Sequence, residues 1–355
     1  MNLQKGSAII VRSALKVLVS ALIGVLLFHL CHFPMPWLLG PIFAVMISQL
    51  TIRTSWGWPS WLRNSGLVLL GAAIGEAFTR AAFTNLGHYL FYMLVLNIVL
   101  VLFCVLLAVV TQKVTGLSFI TALTANIPGG LSQSITFAEE HREIEIGAVT
   151  YIQMIRVLTI VSIVPFIVSG QLVPTVVEKE AAPLWQLAAY ILLAFAAVPL
   201  GKRLKLPVPY FLAPVLVGVC INAIGIIPPA VPDTLLHMAQ LAIGAYIGLL
   251  LKPDMIKLPW KVVVMGLVSS IILLAFSYGC AIILSNVLHI DMMTSFLSTA
   301  AGGMDQMSLI AAALKVDAAF VTLFQLFRLL FIYFIVFPLL QWAARRVKLR
   351  ASKVS

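Results

Sequence analysis

A set of landmarks recurs 173 positions apart in this chain. Pro36-Trp37-Leu38-Leu39-Gly40-Pro41 returns as Pro209-Tyr210-Phe211-Leu212-Ala213-Pro214. Gly71-Ala72-Ala73-Ile74-Gly75 returns as Gly244-Ala245-Tyr246-Ile247-Gly248, and Pro128-Gly129-Gly130-Leu131-Ser132-Gln133 as Ala301-Gly302-Gly303-Met304-Asp305-Gln306. The duplication constrains the fold strongly, because whatever residues 1–175 form, residues 176–355 must be able to form again. We read these as repeat 1 and repeat 2. Duplicated apolar halves that meet at Gly-interrupted segments are a recurrent way to build a solute site near the middle of a bilayer.

The solvent of this chain is lipid. Of its 355 residues, 62% are hydrophobic and 10% charged, and the mean hydropathy of +1.08 excludes an ordinary soluble domain. Apolar stretches long enough to span a hydrocarbon core of about 30 Å fall at 14–32, 36–52, 61–79, 87–112, 117–138 and 146–169. Their counterparts fall at 184–201, 207–226, 235–251, 261–288, 293–314 and 318–344. The first stretch follows Lys5, Arg12 and Lys16 as a signal peptide would, but it ends at Leu30-Cys31-His32-Phe33 without a small-residue cleavage site, which predicts a retained helix.

The net charge of +11 is spread over the ends of apolar spans, as in cytoplasmic loops of membrane proteins, and forms no contiguous nucleic-acid footprint. The basic ends are the N-terminus, Arg53 and Arg63, Lys202 to Lys205, Lys252 to Lys261, and the tail from Arg345 to Arg350. The linker with Glu178 and Glu180 is acidic. Six full crossings per half would put that linker on the basic side. We therefore expect an all-α polytopic membrane protein with two repeats in inverted topology, each with five spans plus one Gly-Gly re-entrant or broken helix. Twelve crossings with parallel repeats is the competing arrangement.

The Gly-Gly segments weaken the helix in mid-stretch. Broken backbone at that depth must be buried by protein or line a cavity. Gly129, Gly130, Gly302 and Gly303 would then expose backbone amides at the N-termini of following half-helices, where an anion is favoured. Ser132, Gln133 and Gln306 add neutral hydrogen-bonding groups. Asp305 stands where repeat 1 has Ser132, an asymmetry suited to a coupling cation or proton. Gly pairs also serve close helix packing, the plainer use of such a motif.

Downstream, Gln153-x-x-Arg156 corresponds to Gln325-x-x-Arg328, and the spacing puts Gln and Arg on one helical face. An arginine in mid-span costs about 2.5–3.5 kcal/mol on insertion scales, so it needs a partner. That partner is either structural, such as Asp305 or backbone carbonyls, or a bound anion that Arg156 and Arg328 neutralise. Glu76, after the Gly71–Gly75 landmark, reads as a helix-end carboxylate. Cys31, Cys104, Cys220 and Cys280 are scattered and leave disulfide pairing open. The six histidines offer only the His29/His32 pair, too little for a metal site, and no cofactor motif is present.

Taken together, the doubled Leu-Gly-Pro or Leu-Ala-Pro element, the Pro-Gly-Gly and Ala-Gly-Gly-Met-Asp segments and the paired Gln-x-x-Arg helices resemble the bacterial AbrB-type membrane protein family. That family is distinct from the small DNA-binding regulator that shares the name. The resemblance implies a multi-pass protein of the bacterial cytoplasmic (inner) membrane, from a group labelled regulators of gene expression or ammonia monooxygenases. Ala301 departs from the family's usual Pro-Gly-Gly form. Three functions compete: a secondary transporter or exchanger of a small anionic solute, a membrane-bound regulator acting through a ligand or partner, and a monooxygenase. The residues favour the first, with no enzymatic activity, no cofactor and no nucleic-acid partner. The expected partners are the solute and the lipid bilayer, with a homo-oligomer left open.

Overall fold

A computed structural model describes residues 2–52, 56–78, 86–141, 143–169, 183–253 and 258–341, with the side chains of residues 2–11, 86, 131 and 132 excepted. The described residues form helices and no strand. The acidic linker with Glu178 and Glu180, and the basic residues Arg53, Lys257, Arg345, Arg346, Lys348 and Arg350, lie outside them.

Repeat 1 contributes α1 (Asn2–Leu30), α2 (Pro36–Ile52), α3 (Ser60–Ala77), α4 (Leu86–Thr115), the short pair α5 (Phe119–Asn126) and α6 (Leu131–Glu140), and α7 (Ile146–Ser169). Repeat 2 follows the same order. It has α8 (Leu184–Arg203), α9 (Pro209–Ala223), α10 (Asp233–Gly248), α11 (Trp260–Leu288), the short pair α12 (Met292–Thr299) and α13 (Met304–Ala313), and α14 (Ala318–Phe331). A π-helical turn, Ile332–Val336, continues α14. Pro338 follows it after Phe337; its missing N–H and its ring, which crowds the carbonyl four residues back, account for the irregular turn.

Among the described residues, six helices are long and apolar enough to cross a membrane: 12–30, 87–115, 146–168, 184–203, 260–288 and 318–341. Their outward side chains are apolar and bare. On α4, Phe91, Leu102 and Leu106 are 63%, 63% and 59% exposed, a surface that is unfavourable in water and ordinary against lipid. By contrast α2 and α9 have 17 and 15 residues, or roughly 25 and 22 Å at 1.5 Å per residue, short of a 30 Å core.

The chain gathers into two compact units, each drawing on both repeats. One comprises residues 1–86, 161–254 and 308–320, the other residues 87–160, 255–307 and 321–355.

In the first unit α3 packs on α9 and α10 packs on α2, and the contacts are reciprocal. A Cβ on Gly244 would lie 2.7 Å from the Leu38 carbonyl oxygen, and one on Gly71 would collide with that of Phe211, the counterpart of Leu38. Likewise a Cβ on Gly248 would lie 2.6 Å from Ile42 O, and one on Gly75 2.8 Å from Val215 O. The repeated glycines thus admit a neighbouring backbone, each repeat's third helix against the other's second. Tyr190 donates to Ala72 O at 2.7 Å, and Glu76 accepts from Val231 N at 3.3 Å at the end of α3.

The equivalent helices α3 and α10, and α4 and α11, run in opposite directions. In the first unit Gly66 abuts its own counterpart, Ala239. Trp58, before Gly66, donates to Ala242 O at 3.1 Å, and Arg63 lies over the Tyr246 ring, both partners being after Ala239. In the second unit Phe103 stacks on its counterpart Phe276 with ring centroids 3.8 Å apart. Leu96 and Leu100, before Phe103, share a cavity with Cys280, after Phe276. Counterparts that touch at one point and diverge antiparallel from it are related by a two-fold axis across the helices, the arrangement of inverted repeats.

Candidate functional site

The second unit holds both Gly-Gly breaks. In repeat 1 the break is a hairpin. A continuous helix from Thr121 to Glu145 would separate its ends by roughly 36 Å, yet Glu145 N donates to Thr121 Oγ1 at 3.2 Å. Helix α5 starts from Ser118, whose side chain caps Thr121 N, and α12 from Asp291, which caps Met293 and Thr294. Each short helix is therefore closed at its outer end and broken at its inner one. The break leaves the last carbonyls of α5 and α12 and the first amides of α6 and α13 without helical partners.

The Gln-x-x-Arg pairs meet those carbonyls. Gln153 Nε2 donates to Thr124 O and Ile127 O, both at 3.0 Å, and to Ser134 Oγ. Gln325 Nε2 donates to Leu297 O at 2.7 Å and Ala300 O at 3.1 Å, the carbonyls equivalent to those of Thr124 and Ile127. Arg156 donates to Ala125 O and Asn126 O at 3.4 and 3.2 Å. Arg328 donates to Thr299 O at 3.4 Å, and to Ala300 O and Gly302 O at 2.7 Å. Each arginine also donates to the side-chain oxygen of its own glutamine. These hydrogen bonds end on neutral oxygens, so they hold the guanidinium without cancelling its charge. Arg156 and Arg328 are 4% and 5% exposed, and they lie within electrostatic reach of each other and of Cys104.

The glycines of the two tips are tightly placed. A Cβ on Gly129 would lie 2.6 Å from Ile332 in the π-helical turn of the opposite repeat, and one on Gly302 2.7 Å from Met307. Gly130 caps α6 at φ +91°, a region L side chains avoid. Gln133 and Gln306, the third residues of α6 and α13, fold back so that a Cβ on Gly130 or Gly303 would collide with their Oε1 atoms. Asp305 is buried in the first turn of α13. The side chain of Ser132 lies outside the described residues. Apart from it, the residues expected from the sequence, Gly129, Gly130, Gln133, Arg156, Gly302, Gly303, Asp305, Gln306 and Arg328, all belong to the second unit.

Five buried side-chain atoms among the described residues have no hydrogen-bond partner: Asn97 Oδ1, Arg156 Nε, Ser277 Oγ, Ser295 Oγ and Gln306 Oε1. All five belong to this unit. Buried orphans are rare in native proteins and point to an absent water, ion or ligand. Asn97 was missed in the sequence, where it is a single polar residue in a long apolar run and belongs to no motif.

The histidines and cysteines assemble nothing comparable. Among the described residues no three His, Cys, Asp or Glu groups are placed to hold a metal, and the four cysteines are free.

The AbrB family model, described as "Transition state regulatory protein AbrB", matches this chain twice, over residues 3–122 and 37–344. A double match is compatible with the duplication. Among curated proteins, "Putative regulator AbrB" of Escherichia coli (strain K12) is 29% identical over 305 residues, 84% of this chain and 87% of that one. "Uncharacterized protein YhjN" of Bacillus subtilis (strain 168) is 27% identical over 292 residues, 75% of this chain and 74% of that one.

Proposed function

The chain belongs to the AbrB family, and we propose that it is a secondary transporter or exchanger of a small anionic solute, bound at the two Gly-Gly tips. The observation that carries this reading is the pair of buried arginines hydrogen-bonded to carbonyls at the broken ends of α5 and α12. Two uncancelled positive charges in a low-dielectric interior repel each other, and a bound anion relieves both at once. The first-turn amides of α6 and α13 supply donors suited to that anion. The antiparallel run of the equivalent helices α4 and α11 in the same unit suits alternating access, in which one arrangement and its two-fold-related counterpart face opposite sides of the membrane.

A membrane-bound regulator is the second reading, favoured by the name of the E. coli relative. It would use the same ligand site but show binding without flux. The test is uptake of a panel of small carboxylates and inorganic anions into proteoliposomes carrying the protein. Saturable uptake by the wild type supports transport. Ligand-dependent thermal stabilisation without uptake supports the regulator, and neither response to any anion overturns the site itself.

A further inference from the structure

We propose that Asn97 accepts a hydrogen bond from a hydroxyl group of the bound anion, so that the site selects hydroxylated anions, such as 2-hydroxy carboxylates, over their deoxy analogues. The inference rests on the anion reading above and adds the chemistry of the rest of the ligand.

Asn97 lies in mid α4 and is 5% exposed. Its Nδ2 donates to Met93 O at 2.6 Å, which fixes the amide's orientation and leaves Oδ1 as the free end. That oxygen has no partner. The residue lines a small cavity with Cys280 of α11, Ser298 and Thr299 at the broken end of α12, and Phe324 and Arg328 of α14. The cavity therefore adjoins the second tip, where Arg328 holds the carbonyls of Ala300 and Gly302.

The polar groups of its wall are biased toward acceptance. The hydroxyl of Ser298 donates to Thr294 O at 2.6 Å and that of Thr299 to Ser277 O at 2.9 Å, so what these two lining residues have left to offer is their oxygens, as acceptors. The Nη groups of Arg328 are engaged with carbonyls and Gln325. What the cavity requires is a donor, and Arg328 on its wall makes a cationic donor unfavourable. A neutral O–H meets both conditions. The space accommodates little more than one water-sized group, which is the size of a single hydroxyl. An anion seated at the tip with its charge toward the helix N-termini can extend that one group to Asn97. The counterpart of Asn97 is Ser270, whose hydroxyl donates to Gly266 O at 2.6 Å within its own helix. The hydroxyl-accepting position is therefore built on the second tip's side.

The experiment compares lactate with propionate, and glycolate with acetate, as counterflow substrates in proteoliposomes of the full chain. The wild type should prefer the hydroxylated member of each pair by about tenfold or more, since a site built around a substrate hydroxyl leaves its own polar group unpaired with the deoxy analogue. Asn97→Leu should bring that ratio to about one. Asn97→Ser, a smaller polar change, should retain part of the preference, and it serves as the second variant should the leucine protein fail to fold. Equal handling of both members by the wild type overturns the inference and leaves the anion reading intact, with water alone filling the cavity. A preference that survives both substitutions overturns the role of Asn97. No uptake or thermal stabilisation with any of the four probes overturns the inference, and the wider anion panel then decides the reading beneath it.

Discussion

Replacing Arg328 in two ways separates its charge from its hydrogen bonds. Arg328→Gln removes both, whereas Arg328→Lys keeps the charge and loses the fork that reaches several carbonyls. Ala300 O keeps Gln325 as a second donor at 3.1 Å, so the carbonyl most exposed to loss is Gly302 O, now held at 2.7 Å. One stranded buried carbonyl costs about 1–3 kcal/mol. In the glutamine variant this is offset by removing a charge whose insertion costs about 2.5–3.5 kcal/mol, a magnitude at least as large. Both variants should therefore fold, with the melting temperature of Arg328→Lys lowered by a few degrees and that of Arg328→Gln close to wild type. Anion affinity should divide them. A unit charge about 7 Å from the anion at an effective dielectric of about 20 contributes roughly 2.4 kcal/mol, or about fiftyfold in affinity. Arg328→Gln should lose affinity on that scale, while Arg328→Lys should stay within about threefold of wild type because its charge remains. Thermal melts in detergent read the first quantity and concentration-dependent uptake in proteoliposomes the second. Folded Arg328→Gln protein with wild-type affinity would refute the electrostatic role and return the arginine to a purely structural one.

Substituting Val for Gly130 should abolish uptake while leaving membrane insertion intact, because φ +91° strains any L residue; normal uptake by well-expressed protein would return this glycine to packing alone. Gly71→Leu and Gly244→Leu should each lower the melting temperature, and by similar amounts, since each displaces the equivalent carbonyl of the opposite repeat. A large effect at one position and none at the other, measured by the same melts, contradicts the reciprocal packing. Membrane-impermeant thiol labelling of single cysteines should place both termini in the cytoplasm and the region near Glu178 outside, in a background lacking Cys31, Cys104, Cys220 and Cys280. A cytoplasmic label at Glu178 would sink the arrangement of five spans and one hairpin per repeat.

The six long apolar helices and the repeat were legible in the sequence because both are carried by side-chain chemistry along the chain, whereas α2 and α9, also expected as spans, are shorter than a core of about 30 Å requires. Twenty apolar residues announce a span, and Gly71 and Gly244 announce a close approach even before the approaching backbone is known. The Gln-x-x-Arg face was legible for the same reason, since three residues bring two side chains together on any helix. What they bond was not. The acceptors are carbonyls that exist only because α5 and α12 end where they do, and a chain read in one dimension cannot say which way the next segment turns. The return of α6 is fixed instead by Thr121 meeting Glu145 across 24 positions.

Asn97 was hidden by the feature that made the rest visible, because a duplication directs attention to matched positions and this one is unmatched. Its counterpart Ser270 is bonded within its own helix, and the repeats differ likewise where Asp305 corresponds to Ser132 and Ser277 to Cys104. These differences follow from the ligand that the site is read to hold. Two identical half-sites about a two-fold axis present the same surface to either orientation of a solute, so they cannot fix a molecule that is charged at one end and hydroxylated at the other. Divergence at a few buried positions removes that degeneracy while leaving the backbone two-fold intact. On this reasoning the repeats should retain their common glycines and Gln-x-x-Arg faces for architecture and differ at Asn97 and Asp305 for chemistry. The orientation of the anion should then depend on those two side chains more than on any residue the repeats share.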